Sequence, residues 1–278
     1  MKMGSEYMLE IESVTKGFSR NIVNIRGEED DERFNIIDDL SLMVPANKIT
    51  ALIGGNGAGK TTLFNVICGF IDADSGNIFF SNNERTNLIG LQPHCITRFG
   101  IGRLFQDNHI FLGMTVLENM MIADSNRYGE VPFISMFSPK RNQDLENERA
   151  QKAKNIFQEL FGTSNPFWTK KDNPAGSLSF GQQRLLGLAR IFMGDYSLVL
   201  LDEPTSGINP NLVRDILGII KRMVAEKEIT VFLIEHNMRF VLEIADFCNF
   251  MSHGKITAFG TPKDVIGDNE VRKTYLGA

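Results

Sequence analysis

The sequence predicts an α/β fold in which a parallel sheet is covered by helices and interrupted by a helical insert. Strands separated by helices pair in parallel, because each crossover returns the chain in the same direction. The stretch from Thr115 to about Phe161 instead repeats its apolar residues near the helical period, which places the insert at about 107–176. The alternation after Leu178 predicts a helix at 181–193, a buried strand at 198–201, a helix at 210–226, a strand at 229–234 and a helix at 237–246.

The N-terminal part is predicted to form strands around a charged run. Residues 8–14 and 36–44 alternate partly between apolar and polar positions, as strands do. Between them, residues 24–35 are rich in charge and include GEEDDE at 27–32. This run predicts a solvated hairpin extension or a flexible surface loop. KITALIGG at 48–55 is a short apolar strand that leads into glycines and a helix from about Lys60.

Composition and charge exclude several classes of protein. The chain has 278 residues, with 29 basic and 34 acidic side chains, and its net charge of −5 argues against a general nucleic-acid binder. The apolar runs are too short to cross a bilayer, and Glu6, Glu10 and Glu12 interrupt the region where a signal peptide needs an apolar stretch. Three scattered cysteines fit a reduced compartment. We therefore expect a cytoplasmic protein that reaches a membrane only through a partner.

The segment GGNGAGKTT predicts a phosphate-binding loop, with Gly54, Gly59, Lys60 and Thr61 at the required spacing. Glycines let the backbone turn tightly and direct N–H groups at phosphate oxygens, and the helix that follows adds its positive N-terminal end. The lysine supplies a cation to the β- and γ-phosphates, and the threonine hydroxyl is a ligand for Mg²⁺. We expect the whole segment to bind nucleotide: Gly54, Gly55, Asn56, Gly57, Ala58, Gly59, Lys60, Thr61 and Thr62.

Two adjacent carboxylates follow the buried strand at 198–201. In open α/β sheets ligands bind beyond the carboxyl ends of the strands, where SLVLLDEP places Asp202 and Glu203. Asp202 can hold Mg²⁺ through a water molecule, and Glu203 can polarise the water that attacks the γ-phosphate. Many strands end in acidic residues, but together with the phosphate loop this pair predicts a site that hydrolyses a nucleotide.

Four segments in a fixed order make the sequence similar to a known family. GGNGAGKTT, LSFGQQ, LLDEPTSGINP and LIEHNM follow one another, and the chain from Leu9 to Ala278 resembles the ATP-binding-cassette (ABC) ATPases. The resemblance implies a P-loop NTPase core with an antiparallel β subdomain and a helical subdomain. It implies a single domain over 1–278, divided into a nucleotide-binding core (1–106 and 177–278) and a helical subdomain (107–176). ATP and Mg²⁺ are the implied cofactors.

The resemblance assigns a function to LSFGQQ, a segment without titratable side chains. In the family two cassettes dimerise head to tail, and this segment of one completes the nucleotide site of the other with a hydroxyl, backbone amides and a helix N-terminus. Ser179, Gly181 and Gln182 occupy the matching positions. Phe180 stands where the pattern has its first glycine, and an aromatic residue is found there in the branched-chain amino-acid importer subgroup.

Further positions follow from the same resemblance. Gln106, in GRLFQDNHIF, matches the glutamine that reaches Mg²⁺ and the attacking water and also senses the membrane partner. His236 matches the histidine that contacts the γ-phosphate. Phe18 matches the aromatic residue that stacks on adenine, with Phe34 as a rival because the acidic run separates them; either could instead belong to the core. Asn209 stands where many relatives have an aspartate, so an inter-subunit contact there has no charge.

These motifs favour transport over other activities. We expect the ATPase subunit of an ABC transporter, in a homodimer or with another ABC ATPase. It would bind integral-membrane permease subunits and, through them, a periplasmic or extracellular solute-binding protein. GRLFQDNHIFLGMTVLENMMIA, LSFGQQ and VRKTYLGA look most like branched-chain amino-acid importers. The alternatives are a lipopolysaccharide-export ATPase, which generally has LSGGE, and a non-transport cassette such as that of iron–sulfur cluster assembly.

Apolar residues after Gln106 predict how a permease would couple to the site. NHIFLGM and VPFISMF include Phe111 and Phe137. In relatives this region forms the groove that receives a cytoplasmic helix of the permease, although some of these side chains must fill the insert's own core.

Overall fold

The computed structural model describes residues 6–23, 29–107, 109–124, 139–162 and 166–276. The strands are β1 (Tyr7–Val23), β2 (Glu29–Pro45), β3 (Ile49–Ile53), β4 (Ser75–Ser81), β5 (Arg85–Asn87), β6 (Ile101–Leu104), β7 (Leu198–Asp202), β8 (Thr230–Ile234), β9 (Phe247–Ser252) and β10 (Lys255–Gly260). The α-helices are α1 (Lys60–Ile67), α2 (Pro93–Arg98), α3 (Val116–Met121), α4 (Pro139–Phe161), α5 (Pro166–Thr169), α6 (Phe180–Ile191), α7 (Pro210–Lys227), α8 (Met238–Ile244), α9 (Pro262–Gly267) and α10 (Asn269–Leu276).

The chain divides into two compact units. The first contains Met1–Arg103, Ser197–Pro204 and Lys221–Ala278. The second contains Leu104–Tyr196 and Thr205–Ile220. The predicted helical segment 107–176 therefore lies within the second unit, which continues beyond it in sequence on both sides.

An antiparallel sheet with the order β2-β1-β4-β5 forms one layer of the first unit. The long strands β1 and β2 pair along their length, with Phe18 opposite Phe34 and Val23 opposite Glu29. Backbone pairing thus continues into the charged run of residues 24–35 as far as Glu29, while residues 24–28 lie outside the described residues. The antiparallel β subdomain expected from the sequence is confirmed.

The second sheet has the order β10-β9-β3-β8-β7-β6. Strand β3 pairs in parallel with β8 and β9, and β7 pairs in parallel with β8, whereas β10 is antiparallel to β9. Every residue of β3, β7 and β8 is buried, as expected for strands covered on both faces. The predicted parallel sheet is confirmed, and the carboxyl ends of its central strands define one edge.

Helix α1 is fixed by a hydrophobic core shared with both sheets. Its Phe64 is fully buried, and the ring lies 5.1 Å from the ring of Phe232 on β8, centroid to centroid. Leu9 and Phe80 of the antiparallel sheet belong to the same cluster. Burial of each such side chain contributes about 1.5–3 kcal/mol, so the position of the loop before α1 is set by packing.

The second unit has an aromatic and helical core of its own. The ring of Phe167 on α5 stacks on Phe157 of α4 with centroids 5.6 Å apart. Within the stretch from Thr115 to about Phe161 that the sequence predicts to be helical, α4 buries Ala153, Ile156 and Phe157. No helix among the described residues is long and apolar enough to span a membrane.

Candidate functional site

The loop between β3 and α1 is held in place by close packing at two glycines. Gly59 has φ 104°, a left-handed conformation, and a Cβ there would lie 2.6 Å from the carbonyl oxygen of Ile36. A Cβ on Gly54 would overlap the carbonyl oxygen of Met251. Both positions therefore require glycine.

The remaining loop residues form an open face. A Cβ at Gly55 or Gly57 would have no atom within 4 Å. Asn56, Gly57 and Thr61 are exposed, Thr62 is half-buried and Ala58 is buried. The exposed part of the loop can therefore admit a group such as a phosphate.

The side chain of Lys60 folds back over this loop. Its Nζ donates hydrogen bonds to the carbonyl oxygens of Gly54, at 2.8 Å, and Gly55, at 2.9 Å. Burial lowers the pKa of Lys60, and the negative charges of Glu203 and Asp202 act in the opposite direction. The ammonium thus lies in the loop, in the electrostatic field of both carboxylates at the end of β7.

Asp202 is the last residue of β7, and it is buried in an ion pair. Its Oδ2 accepts a hydrogen bond from Nη2 of Arg103 at 3.1 Å. Nη1 of the same guanidinium donates to Oδ1 of Asn65 on α1 at 2.7 Å. The thiol of Cys68 lies in the same buried region, where burial raises its pKa to about 11.

Glu203 lies next to His236, with 2.9 Å between Glu203 Oε1 and His236 Nε2. Glu203 has φ 46°, an uncommon conformation for a residue with a side chain, and its N–H donates to the carbonyl oxygen of Ile234 at 3.0 Å. His236 follows β8, and its backbone N–H donates to Oε2 of the buried Glu235 at 3.0 Å. The ends of β7 and β8 therefore bring a carboxylate and an imidazole together.

Two aromatic residues occupy opposite positions on β1 and β2. Phe18 and Phe34 are register partners and are 37% and 45% exposed, so neither is a core residue. Asp74 holds the strands beside them: it accepts hydrogen bonds from the N–H of Gly17 at 2.7 Å, from Lys16 at 3.1 Å and from Arg33 at 2.7 Å.

Asp74 is ionised over a wide pH range because of these contacts. The backbone hydrogen bond from Gly17, with the side chains of Lys16 and Arg33, lowers the pKa of Asp74 to about 2.

The segment LSFGQQ forms the N-terminus of α6. Ser179 is the N-cap: its Oγ accepts from the N–H of Gln182 at 3.3 Å, and Oε1 of Gln182 accepts from the N–H of Ser179 at 3.2 Å. Gly181 is buried, and a Cβ there would overlap the side chain of Leu212. Ser179 and Phe180 are exposed, which leaves this helix end open to another molecule.

Gln106 lies in the second unit with its backbone held by a buried arginine. Arg184 of α6 is 1% exposed, and its Nη1 donates to the carbonyl oxygens of Phe105, at 2.6 Å, and Gln106, at 2.9 Å. The side chain of Gln106 is exposed. The structure therefore joins Gln106 to the helix of Ser179, while Lys60, Asp202, Glu203 and His236 belong to the first unit.

Asn209, which by the resemblance stands where many relatives have an aspartate, precedes α7. Its Oδ1 accepts a hydrogen bond from the N–H of Asn211 at 2.9 Å, so the side chain caps the start of that helix.

Comparison with known proteins identifies the family. The profile described as ABC transporter matches residues 37–206. The chain belongs to this family. It is therefore an ABC ATPase, with a nucleotide-binding cassette of the kind that powers transport.

Several relatives of this cassette cover nearly its whole length. The probable branched-chain amino acid transport ATP-binding protein LivG of Methanocaldococcus jannaschii is 36% identical over 263 residues, which are 93% of this chain and 96% of that protein. The high-affinity branched-chain amino acid transport ATP-binding protein BraF of Pseudomonas aeruginosa is 33% identical over 87% of this chain and 91% of its own. The lipopolysaccharide export system ATP-binding protein LptB of Haemophilus influenzae is 34% identical over 87% of this chain and 91% of its own.

Solved structures agree with this assignment. A nucleotide-free ATP-binding cassette from an ABC transporter has a TM-score of 0.77 and 33% identity, covering 98% of this chain and 100% of that one. The ADP conformation of an ATP-binding cassette of an ABC transporter has the same TM-score and identity, covering 99% of this chain and 100% of its own. The predicted fold class is confirmed.

Three residues of the ABC cassette were not identified from the sequence: Arg103, Arg184 and Glu235. Arg103 is a charged residue in the otherwise apolar strand β6. That position could have indicated from the sequence that Arg103 forms a buried ion pair. Glu235 stands directly before His236, and its side chain organises the turn after β8 through hydrogen bonds from the backbone N–H groups of His236 and Asn237.

Proposed function

We propose that this chain is the ATP-hydrolysing subunit that powers the import of branched-chain amino acids or of similar small solutes. The observation that carries the proposal is the 36% identity to LivG of Methanocaldococcus jannaschii across 93% of this chain. BraF of Pseudomonas aeruginosa, also described as a branched-chain amino acid transport protein, supports it at 33% identity.

The loop Gly54–Thr62 binds the phosphates of ATP. Lys60 exchanges its hydrogen bonds to the carbonyl oxygens of Gly54 and Gly55 for phosphate oxygens, which attract the ammonium more strongly because they are charged. The backbone N–H groups of the exposed loop residues Asn56 and Gly57 and the N-terminal end of α1 add further donors. Phe18, with Phe34 as the alternative, stacks on the adenine, since both rings are accessible.

Glu203 is the general base of hydrolysis. Its carboxylate accepts the proton of the attacking water, and His236, 2.9 Å away, fixes the orientation of that carboxylate and contacts the γ-phosphate. The left-handed backbone of Glu203 sets the direction in which the side chain leaves the end of β7.

The donor set fits magnesium. Mg²⁺ prefers oxygen ligands and retains several waters, and the exposed hydroxyl of Thr61 and the carboxylate of Asp202 are oxygen donors of this kind. Gln106 adds an amide oxygen on a separate segment. When bound, the ion neutralises charge that develops on the phosphates. Thr61 and Asp202 would hold the ion, and Gln106 would link its binding to the docking of the permease.

A second cassette completes each nucleotide site. The hydroxyl of Ser179, the N–H of Gly181 and the amide of Gln182 lie at an open helix N-terminus, which suits donors that meet the γ-phosphate of the partner's ATP. The partner is a second copy or another ABC ATPase. Permease subunits hold the dimer at the cytoplasmic face of the membrane, and a solute-binding protein outside delivers the substrate.

Uptake measurements test the proposed substrate. In cells that lack this chain, uptake of labelled leucine, isoleucine and valine should fall severalfold. The wild-type chain should restore it, and Glu203→Gln should not. Unchanged uptake of all three amino acids, with loss of lipopolysaccharide export instead, would replace the importer with the function described for the LptB relative of Haemophilus influenzae.

A further inference from the structure

Arg103 occupies a buried position between two parts of the first unit. Its side chain is 5% exposed, and that of Asp202 is 2% exposed. One amino group of the guanidinium contacts Asp202 at the end of β7, and the other contacts Asn65 in the helix that follows the phosphate loop. The guanidinium carbon also lies 5.7 Å from the ring centroid of Phe64 on α1, within range of a cation–π contact.

We propose that Arg103 is a positioning residue for the carboxylate of Asp202, the proposed magnesium ligand. Its guanidinium holds that carboxylate in a fixed position relative to α1, the helix that follows the phosphate loop. The inference rests on the proposed role of Asp202. It assigns a role to a residue that had none from the sequence alone, although Arg103 lies within the segment GRLFQDNHIF.

The geometry of the guanidinium suits this role. A planar guanidinium presents two amino groups in a rigid fork, so one arginine can hold two acceptors at a fixed separation. Here the acceptors are Oδ2 of Asp202 and Oδ1 of Asn65, at 3.1 and 2.7 Å. A hydrogen bond to one oxygen from a buried guanidinium restricts the rotation of the carboxylate and so limits the directions its other oxygen can take.

The charge of Arg103 contributes as well. A buried carboxylate without a compensating cation is strongly destabilised, and the guanidinium of Arg103 supplies that cation 3.1 Å from Asp202. The ammonium of Lys60 donates instead to the carbonyl oxygens of Gly54 and Gly55, and the hydrogen bond to Oδ2 of Asp202 comes from Arg103. The strand order places β6 next to β7, which brings Arg103 to Asp202 directly.

The test separates positioning of the metal from folding. Arg103→Gln retains hydrogen-bonding groups but removes the charge, and Arg103→Lys retains the charge but removes the fork. Arg149→Gln is the matched control, because it removes an Arg–Asp pair at 3.3 Å in the second unit. For each variant we would measure ADP affinity in EDTA, the melting temperature, and the electron paramagnetic resonance spectrum of Mn²⁺ bound together with ADP.

In Arg103→Gln, we expect ADP affinity in EDTA to stay within about twofold of wild type. The Mn²⁺ spectrum should shift towards that of the free Mn²⁺–ADP complex, and the Mg²⁺ concentration for half-maximal ATPase should rise about tenfold. Arg103→Lys should recover part of both changes. Arg149→Gln should lower the melting temperature without altering the spectrum.

Two results would overturn the inference. One is a wild-type Mn²⁺ spectrum in Arg103→Gln. The other is a loss of ADP affinity in EDTA together with a lower melting temperature. A residue needed only for folding would produce that result. Asp202→Asn separates a failure of this inference from a failure of the proposed function. If Asp202→Asn leaves the Mn²⁺ spectrum unchanged, the proposed role of Asp202 as a magnesium ligand fails too. If Arg103 acts through Asp202, adding Arg103→Gln to Asp202→Asn should change the spectrum little further.

Discussion

His236 Nε2 lies 2.9 Å from Oε1 of Glu203, so the residues at the ends of β8 and β7 form one hydrogen-bonded pair. The pair places an imidazole on the carboxylate that we propose as general base. A hydrogen bond from the backbone N–H of each residue supports the orientation of the pair. The N–H of Glu203 donates to the carbonyl oxygen of Ile234, and the N–H of His236 donates to the side-chain Oε2 of Glu235.

Replacing the base should stop turnover without stopping binding. Glu203→Gln retains the size and hydrogen-bonding capacity of the side chain but cannot accept the proton of water. We expect kcat to fall at least 100-fold, with ATP affinity within about threefold of wild type, and the ATP-bound dimer should accumulate. Single-turnover hydrolysis and light scattering measure the two effects.

His236→Ala is the companion to that experiment, because it leaves Glu203 in place without its neighbour. Its kcat should fall less than that of Glu203→Gln. Near-normal hydrolysis by Glu203→Gln with none by His236→Ala would move the base to His236.

A substitution at the start of α6 tests whether the site is completed in trans. Ser179→Arg puts a long cation at an exposed N-cap, so hydrolysis should be abolished while nucleotide affinity of the isolated chain stays nearly intact. Mixed with Lys60→Ala, it should restore at most one working composite site per dimer. Loss of nucleotide binding by the isolated Ser179→Arg chain would contradict action in trans. Ser177→Arg, two residues earlier, controls for a new charge in this region.

The Asp74 cluster predicts a pH-dependent part of the stability. The pKa of Asp74 is lowered from an ordinary 3.8 to about 2, so its contribution is complete above the unfolded pKa and is lost as pH falls towards 2. Asp74→Asn should therefore be less stable than wild type by a constant amount between pH 5 and 7. The difference should narrow below about pH 4. Urea unfolding at pH 7, 5, 4 and 3 measures it. Asp72→Asn is the control, and a difference that grows on acidification would refute the assignment.

Phe111 is a candidate for contact with a permease because it is 48% exposed while its backbone is held rigidly. The buried Asn119 accepts from the N–H of Phe111 and donates to its carbonyl oxygen, both at 2.9 Å. Phe111→Asp should weaken permease co-purification and transport at least fivefold and leave basal ATPase within about twofold.

Phe259→Asp is the matched control for that substitution, since Phe259 is 81% exposed on β10. Parallel losses of assembly, ATPase and melting temperature in Phe111→Asp would make Phe111 a core residue. Phe137, the other aromatic residue predicted for this contact, lies outside the described residues.

The parts of the fold that were predictable are those with a local signal. The apolar strand before Gly54 and the glycine loop predicted β3 and α1, and the run that ends at Asp202 predicted β7. Strands β1 and β2 are each 17 residues long, well beyond the predicted 8–14 and 36–44. Pairing with each other supplies the backbone hydrogen bonds there, so the strands continue where the side-chain pattern is no longer that of a strand.

The contacts that organise the site were not predictable in the same way. Arg103 and Asp202 are 99 residues apart in sequence, and only the adjacency of β6 and β7 brings them together. The exposure of Phe18 and Phe34 follows from the register of β1 against β2, which no local pattern specifies. The roles assigned to Gln106, Ser179 and the other motif residues stay predictions.

Arg184 ties the loop of Gln106 to α6 through the carbonyl oxygens of Phe105 and Gln106. These two bonds couple the segments, because moving either segment alone would break a charge-assisted hydrogen bond from a buried guanidinium. Given the proposed roles, a permease that displaces Gln106 would withdraw Ser179 from the partner's nucleotide in the same movement. The movement of Gln106 at one ATP site and the movement of Ser179 at the other would then occur at the same time.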